Sequence, residues 1–529
     1  MKQTDEYRVR NHIILWIVAF LIVALRIPNC WRGGEFVGED AWVFFAGAFN
    51  QPWTASILTP YAGYFHFLPR ILAELFSVLP IVYQPYAYGI FSLAFNAFIF
   101  SIFYFPHFET LIRDSRIRAG VVILMALAGN AENLGLLLGL HWYLSFAMAM
   151  MLVMNSPEGR VGQIAMYLLA FLTVWSTPVT IVLFPFLIWK CWYGSTRFMR
   201  LWSLFTCLNL VAVGLFVVWM RFDTATRTGD FDFIQLLVGI ERLFLRGWLG
   251  CGMLGKWLTL HILDFHVGIL YFWGAFWTVL FGWIGWRYRK TPEIARVSIL
   301  LTIAILMILL SLTRSLYIAK MSEQELPQHV RYLTVPTLLL LVSIWSLASR
   351  FWQGRKRILL YVFGLLQLSL FIASAPMLQH ASNWPNPGMS RLFHIRDYVD
   401  AIHAFEERYQ ETGKPATLYI PVGVHYWGPV LKRGGGAPEI LPPCSLAVSL
   451  GVKPGEDGYC DSWLGRFREL PEPQMIEHEK LGVLEFRGIS EGRVWFRDPS
   501  GKLILITSPL LYPTFWIVDG LKTSYTKVE

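Results

Sequence analysis

Long apolar runs separated by short polar loops fill residues 1–375, and no such run follows them. The runs lie near Ile13–Leu25, Pro85–Phe105, Ala119–Ala131, Gly139–Met154, Gln163–Trp175, Val179–Trp189, Phe205–Met220, Val267–Trp286, Val297–Thr313, Tyr332–Ala348 and Ile358–Ala373. They predict about eleven membrane-crossing helices, although several are shorter than the roughly 20 residues that a helix needs to cross a bilayer. Pro178 and Pro185 interrupt the pair around 163–189, which reads either as two short spans or as one broken helix. Gly38–Asn50 and Tyr64–Leu79 are apolar and rich in aromatic residues (Trp42, Phe44, Phe45, Phe49, Tyr64, Phe65). They read as helices lying in the membrane interface. A spanning Tyr64–Leu79 is the alternative, and it would move the Arg113–Arg118 cluster to the outer face.

Residues 376–529 mix polar and apolar positions without a candidate span. Arg391–Gln410 has a helical pattern, and Thr417–Val422, Leu481–Phe486, Arg493–Phe496 and Leu503–Ile506 read as strands between Gly, Pro and Asp turns. The expected fold is therefore mainly α and polytopic. A transmembrane module covers 1–375, interfacial helices occupy its first external loop (26–83), and a small α+β domain covers 376–529.

Composition agrees with a membrane chain. Hydrophobic residues make up 55%, charged residues only 15%, and mean hydropathy is +0.47. Soluble chains carry about a quarter charged residues. The run Ile13–Leu25 follows basic residues but is succeeded by Arg26-Ile-Pro-Asn-Cys-Trp-Arg32 rather than by a small-residue cleavage site, so it reads as a retained span. The net charge of +9 does not point to nucleic acid, because the basic residues sit in short loops between apolar runs. The clusters Arg113/Arg116/Arg118, Lys190/Arg197/Arg200, Arg287/Arg289/Lys290/Arg296 and Arg350/Arg355/Lys356/Arg357 alternate with weaker loops. Placing them and the N-terminus in the cytoplasm puts the C-terminal domain outside. Six cysteines are scattered without a CxxC pair. Cys444 and Cys460 are either a disulfide or two unrelated thiols.

Two adjacent carboxylates, Glu39 and Asp40, precede Ala41-Trp42 in the first loop. Charges beside a membrane-embedded aromatic stretch are costly unless paired or functional. A carboxylate can activate an acceptor hydroxyl as a base, and a pair can hold a divalent metal such as Mg or Mn near a phosphate. The bland alternative is a solvated helix start whose dipole the two acids complement. Further on, Asn130-Ala-Glu132-Asn133 leads to His141-Trp142-Tyr143. Glu132 either supports such a site or caps two helices, and His141 is as readily a packing residue as a substrate contact. A lipid phosphate at the membrane surface calls for arginines: Arg331, and Arg70 with His66 one turn before it. Each arginine is equally able to anchor to headgroups. Arg242, Arg246 and Lys256 fall in Arg221–Asp264, a segment that reads as a charge-balanced external surface or a flap. Trp42, Trp53 and Trp142 are candidates for stacking on a sugar. No Walker, GxSxG or HExxH motif occurs, and Gly434-Gly-Gly436 lacks the strand–helix context for phosphate binding.

The order of these features resembles the GT-C superfamily of polyprenyl-phosphate-sugar-dependent glycosyltransferases. The likeness rests on one span, an acidic pair in a long loop, and three short stretches. These are Pro60-Tyr-Ala-Gly-Tyr-Phe-His66-Phe-Leu-Pro69-Arg70, then Ser176-Thr-Pro178 with Phe184-Pro185, then His329-Val-Arg331-Tyr332-Leu-Thr-Val-Pro336. It covers roughly 1–375. It implies an enzyme in the bacterial inner membrane that takes sugar from a polyprenyl-phosphate donor to a glycan, lipid or protein acceptor on the outer face. It also implies Asp40 as base, Glu39 and Glu132 as supporting acids, and Arg331, Arg70, His66, Tyr332 and His141 as substrate contacts. The second acid of the family is often Asp, so Glu132 departs from the pattern. Two rival readings predict different features. A transporter or flippase of a lipid-linked glycan would carry mid-span charges or repeated halves. An O-antigen polymerase or ligase would carry its large loop between late spans.

Overall fold

The computed structural model describes residues 2–32, 35–36, 40–61, 64–128, 133–219, 233–314, 331–352, 354–382, 393–394 and 399–413, and the strands between 416 and 528. The chain divides into two compact units. The first comprises residues 1–31, 57–72 and 88–382, and the second 32–56, 73–87 and 383–529. The boundary therefore does not fall at one point in the sequence. Two pieces of the first loop region group with the C-terminal segment, because they make their tertiary contacts there.

The first unit is built from helices α1 (Lys2–Arg26), α2 (Phe67–Phe76), α3 (Gln84–Ile102), α4 (Ser115–Ala128), α5 (Leu140–Val153), α6 (Arg160–Ser176), α7 (Phe184–Tyr193), α8 (Arg197–Trp219), α9 (Phe233–Ile240), α10 (Gly252–Phe265), α11 (Gly268–Arg287), α12 (Pro292–Arg314), α13 (Thr334–Phe351) and α14 (Arg357–Ser382). The first four residues of α3 and the last four of α2 group with the second unit. Among the described residues seven helices are long and apolar enough to cross a membrane: α1, α3, α8, α11, α12, α13 and α14, the span at α3 beginning at Ile81. Helices α6 and α7 pass that test only together and bend by 119°. All eleven apolar runs read from the sequence contain helix. Helices α4 and α5 have 14 residues each, about 21 Å at 1.5 Å per residue against a hydrocarbon core of about 30 Å. Every residue of α5 is buried, as befits a helix that is apolar on all sides.

The break between α6 and α7 has a local cause. The Thr177 hydroxyl accepts the Val179 backbone N–H (3.3 Å), and Pro178 opens the following turn, where its missing N–H costs nothing. Basic side chains gather at one end of the bundle. Arg296 in the first turn of α12 donates to Asn155 Oδ1 just beyond α5 (3.2 Å). Arg350 in the last turn of α13 pairs with Glu293 at the start of α12 (3.1 Å). Lys190 in the last turn of α7 donates to the Leu152 carbonyl. At the opposite end, Asn133 Nδ2 donates to Thr334 Oγ1 where α13 begins (2.8 Å).

Residues 233–265 are not an open loop. Helix α9 passes into a π-helical stretch, Glu241–Cys251, and then into α10. The Trp248 indole, 2% exposed, donates to the Pro336 carbonyl in the first turn of α13 (2.8 Å). Five residues later, Gln367 of α14 reaches the Met253 carbonyl (3.5 Å) while accepting from the Trp345 indole (2.7 Å). The Trp257 N–H then donates to Ser374 (3.0 Å). The segment thus follows α13 in its chain direction and then α14 in its own. These two helices are joined by a short turn and run antiparallel, so the segment reverses between them. The reversal falls at Gly255, whose φ of +76° and approach to the Leu370 carbonyl leave no room for a Cβ.

The second unit holds a π-helical turn, Asp40–Phe45, continued by an α-helical turn, Ala46–Asn50. Strand β1 (Glu35–Phe36) pairs with β2 (Phe393–His394) antiparallel, Glu35 opposite His394. Helix α15 (Val399–Thr412) precedes β3 (Ala416–Tyr419) and β4 (Val430–Arg433). The remaining strands are β5 (Lys453–Pro454), β6 (Tyr459–Ser462), β7 (Gly465–Arg468), β8 (Gln474–His478), β9 (Gly482–Ser490), β10 (Arg493–Arg497), β11 (Leu503–Ile506), β12 (Phe515–Asp519) and β13 (Ser524–Val528). They form sheets ordered β13-β12-β3-β4, β11-β10-β9-β8 and β5-β6-β7, all antiparallel.

Candidate functional site

Tyr61 pairs with Tyr64, and α2 begins three residues later at Phe67. Tyr61 and Tyr64 exchange backbone hydrogen bonds (2.8 and 3.2 Å). His66 follows with φ of +50°, a left-handed conformation uncommon outside glycine though several-fold enriched in histidine. Its ring is fully buried. Strained backbone of this kind persists where surrounding structure over-determines it, often at binding or catalytic sites.

Around His66 the fold collects rings from distant parts of the chain. Tyr64 lies 4.0 Å away between centroids and Tyr61 5.5 Å away. His141, from the first turn of α5, stands perpendicular to His66 at 5.5 Å. His141 neighbours Trp142 (4.7 Å), and Trp142 meets Tyr332 edge to face at 5.7 Å. One continuous aromatic cluster therefore joins Tyr61, Tyr64, His66, His141, Trp142 and Tyr332. His141 Nδ1 bonds the Leu138 carbonyl, which makes Nδ1 the protonated nitrogen and leaves Nε2 as an acceptor.

The same stretch is tied to the broken helix. The Leu68 N–H donates to Ser176 Oγ (2.9 Å), the last residue of α6. Phe65 and Phe67 pack on Trp175 at 5.7 and 6.3 Å. Arg70 follows one turn later, 3% exposed, its N–H on the His66 carbonyl (3.0 Å).

Of the residues singled out in the sequence, the fold thus brings together His66, His141 and Tyr332, with Arg70 one helical turn from His66. Asp40 belongs to the second unit, where it is 2% exposed at the start of its π-helical turn. Glu39, Glu132, Cys444 and the side chains of Arg331, Trp42 and Cys460 lie outside the described residues. Trp53 is largely exposed. The reading of Arg246 and Lys256 as surface charges is corrected: both are buried in the packed segment 233–265, and Arg246 pairs with Glu241 (2.8 Å). Their environment comes from helix packing that charge balance does not reveal. Tyr64, expected as an interfacial aromatic, and Tyr61 join the cluster instead through their rings against His66.

Among the described residues no group of three or more His, Cys, Asp or Glu side chains could hold a metal ion.

Comparison with protein-family models, with curated proteins and with solved structures finds no match. What the fold itself defines is a class, a mainly helical integral membrane protein with several apolar helices long enough to cross a bilayer.

Proposed function

We propose that the chain is a membrane glycosyltransferase that moves a sugar from a polyprenyl-phosphate carrier to a cell-surface glycan, lipid or protein acceptor. The observation that carries this reading is the convergence of His66, His141, Trp142 and Tyr332 in one aromatic cluster tied to Ser176. Three of the stretches that resemble the GT-C pattern in sequence are thereby neighbours in space. Rings with polar edges suit a sugar, which offers C–H faces for stacking and hydroxyls for hydrogen bonds.

In the reaction, an acceptor hydroxyl attacks the anomeric carbon and the bond from that carbon to the phosphate oxygen breaks. The phosphate leaves with the electron pair. Asp40 takes the hydroxyl proton as general base. Arg331 and Arg70 offset the charge on the departing phosphate, a term that weighs more in a water-poor site than in water. His66, His141 and Tyr332 orient the sugar.

The test compares surface glycans by mass spectrometry in wild type, a deletion strain, and the deletion carrying Asp40→Asn, His141→Ala or Arg331→Ala at equal membrane abundance. Loss of a hexose-type increment on deletion, restored by wild type and by none of the variants, is the expected result. Full restoration by all three removes the site assignment. Unchanged glycans in the deletion, with lipid-linked intermediates accumulating on the cytoplasmic face, would replace the transferase by a transporter.

A further inference from the structure

Asp40 begins a short helical stretch whose far end, Phe49–Asn50, is held by residues nearly four hundred positions away. Arg433, the last residue of β4, donates to the Phe49 backbone carbonyl, a contact separated by 384 positions. Its guanidinium also lies over the Phe49 ring, 3.8 Å from the centroid. A third contact is an ion pair with Glu406 of α15 at 2.7 Å. One planar cation thus joins a helix end, a ring and a carboxylate, a combination that arginine can make and lysine cannot.

The surrounding packing belongs to the same unit. Phe49 lies 6.3 Å from Phe405, the buried neighbour of Glu406 on α15. Midway along the stretch, one turn before Phe49, Phe45 stacks on Phe36 of β1 at 4.8 Å. Strand β1 is in turn paired with β2. The chain before Asp40, at Phe36, and after it, at Phe49, is therefore held by residues beyond 390. Because π- and α-turns are closed by backbone hydrogen bonds, fixing Phe49 and Phe36 fixes the position of the Asp40 backbone between them.

We infer that Arg433 is a positioning residue for Asp40, acting through Phe49. The inference rests on the reading of Asp40 as the base and adds a role for the last third of the chain.

The experiment uses the full-length protein in lipid nanodiscs for amide exchange and the complemented deletion strain for glycan analysis. Arg433→Ala is expected to speed exchange across residues 40–50 at least tenfold, to leave exchange in α12 and α13 within twofold of wild type, and to cut the glycan increment at least tenfold. Arg433→Lys retains the charge but not the planar stack, so it recovers less than half of the increment and of the protection. Asp40→Asn abolishes the increment with exchange unchanged. Should Arg433→Ala prevent folding, Glu406→Gln removes one of the three contacts and gives a smaller change in the same two readouts. Faster exchange with a full increment would overturn the inference and leave only a structural clamp. Wild-type exchange with a full increment would overturn it as well. A full increment from Asp40→Asn would remove the underlying reading instead, and that failure is recognised because it leaves the Arg433 exchange data intact.

Discussion

The two units place their candidate residues by opposite means. In the first, His66, His141 and Tyr332 sit at the ends of helices whose lengths and apolar faces are written locally, and the bundle brings those ends together. In the second, Asp40 sits on a short helical stretch that is held by Phe36–Phe45 stacking, a two-residue strand pair and Arg433. The first arrangement tolerates loss of one contact, because each helix is independently apolar. The second depends on a few long-range contacts, and single substitutions there should move the site most.

The largest effect is expected at the proposed base. Asp40→Asn should reduce transfer by about 10²–10⁴-fold, the usual range for removing a general base, while leaving the thermal unfolding midpoint in detergent unchanged. A variant with full activity would end the contrast between the units, since the second would then hold no catalytic group.

The next effect tests how far the bundle itself is fixed. Gly255→Ala places a Cβ in a left-handed position, 2.6 Å from Ser374 Oγ and 3.0 Å from the Leu370 carbonyl. The loss is expected to be about 1–3 kcal/mol, from backbone strain and overpacking together. It is readable as a lower unfolding midpoint. An unchanged midpoint would mean that the reversal at Gly255 is not under packing constraint.

A moderate effect is expected from His141→Phe. It keeps an aromatic ring beside His66 and Trp142 but loses the ring nitrogens, including the bond to the Leu138 carbonyl. Transfer should fall about tenfold, an order that matches loss of one buried hydrogen bond of about 1.4 kcal/mol. Stability should fall by about 1–3 kcal/mol from the orphaned Leu138 carbonyl, so transfer is compared at equal amounts of folded protein.

The smallest effect belongs to the basic end of the bundle. Arg350→Gln removes an ion pair with Glu293 in which both side chains are about a third exposed. It should change stability by less than about 1 kcal/mol. His107 offers a pH check at the same end. Burial holds its imidazole below the usual range, while Glu158 and Glu109 oppose the shift. Because the folded value is depressed, its stabilising contribution is present above the ordinary imidazole range and lost as pH falls through the folded value. His107→Gln should flatten that acid-side slope in unfolding midpoints measured against pH.

The seven long apolar helices were legible in the sequence because a run of about 20 apolar residues has one low-energy state in a bilayer, with every backbone group bonded within the helix. The break at Thr177–Pro178 was legible as well, since proline and a capping hydroxyl act locally. Two shorter runs read as spans form helices of only 14 residues, and α5 is buried by its neighbours on all sides, a feature that apolar composition alone does not distinguish from spanning. The packed segment 233–265 was not legible. Its charges suggest a surface, and only the grooves beside α13 and α14 supply partners for Trp248, Met253 and Trp257.

For the candidate site, the sequence by itself determined the residue types: an acid beside aromatic residues, histidines near helix starts, and an Arg-Tyr pair opening a late helix. Their chemistry follows from composition and short-range order. Only the tertiary structure decided that His66, His141 and Tyr332 share one aromatic cluster, because ring contacts between residues so distant in sequence leave no periodic trace. It alone also joined Phe49 to Arg433. A single arginine among many carries no local signal of the carbonyl, the ring and the carboxylate that it will meet.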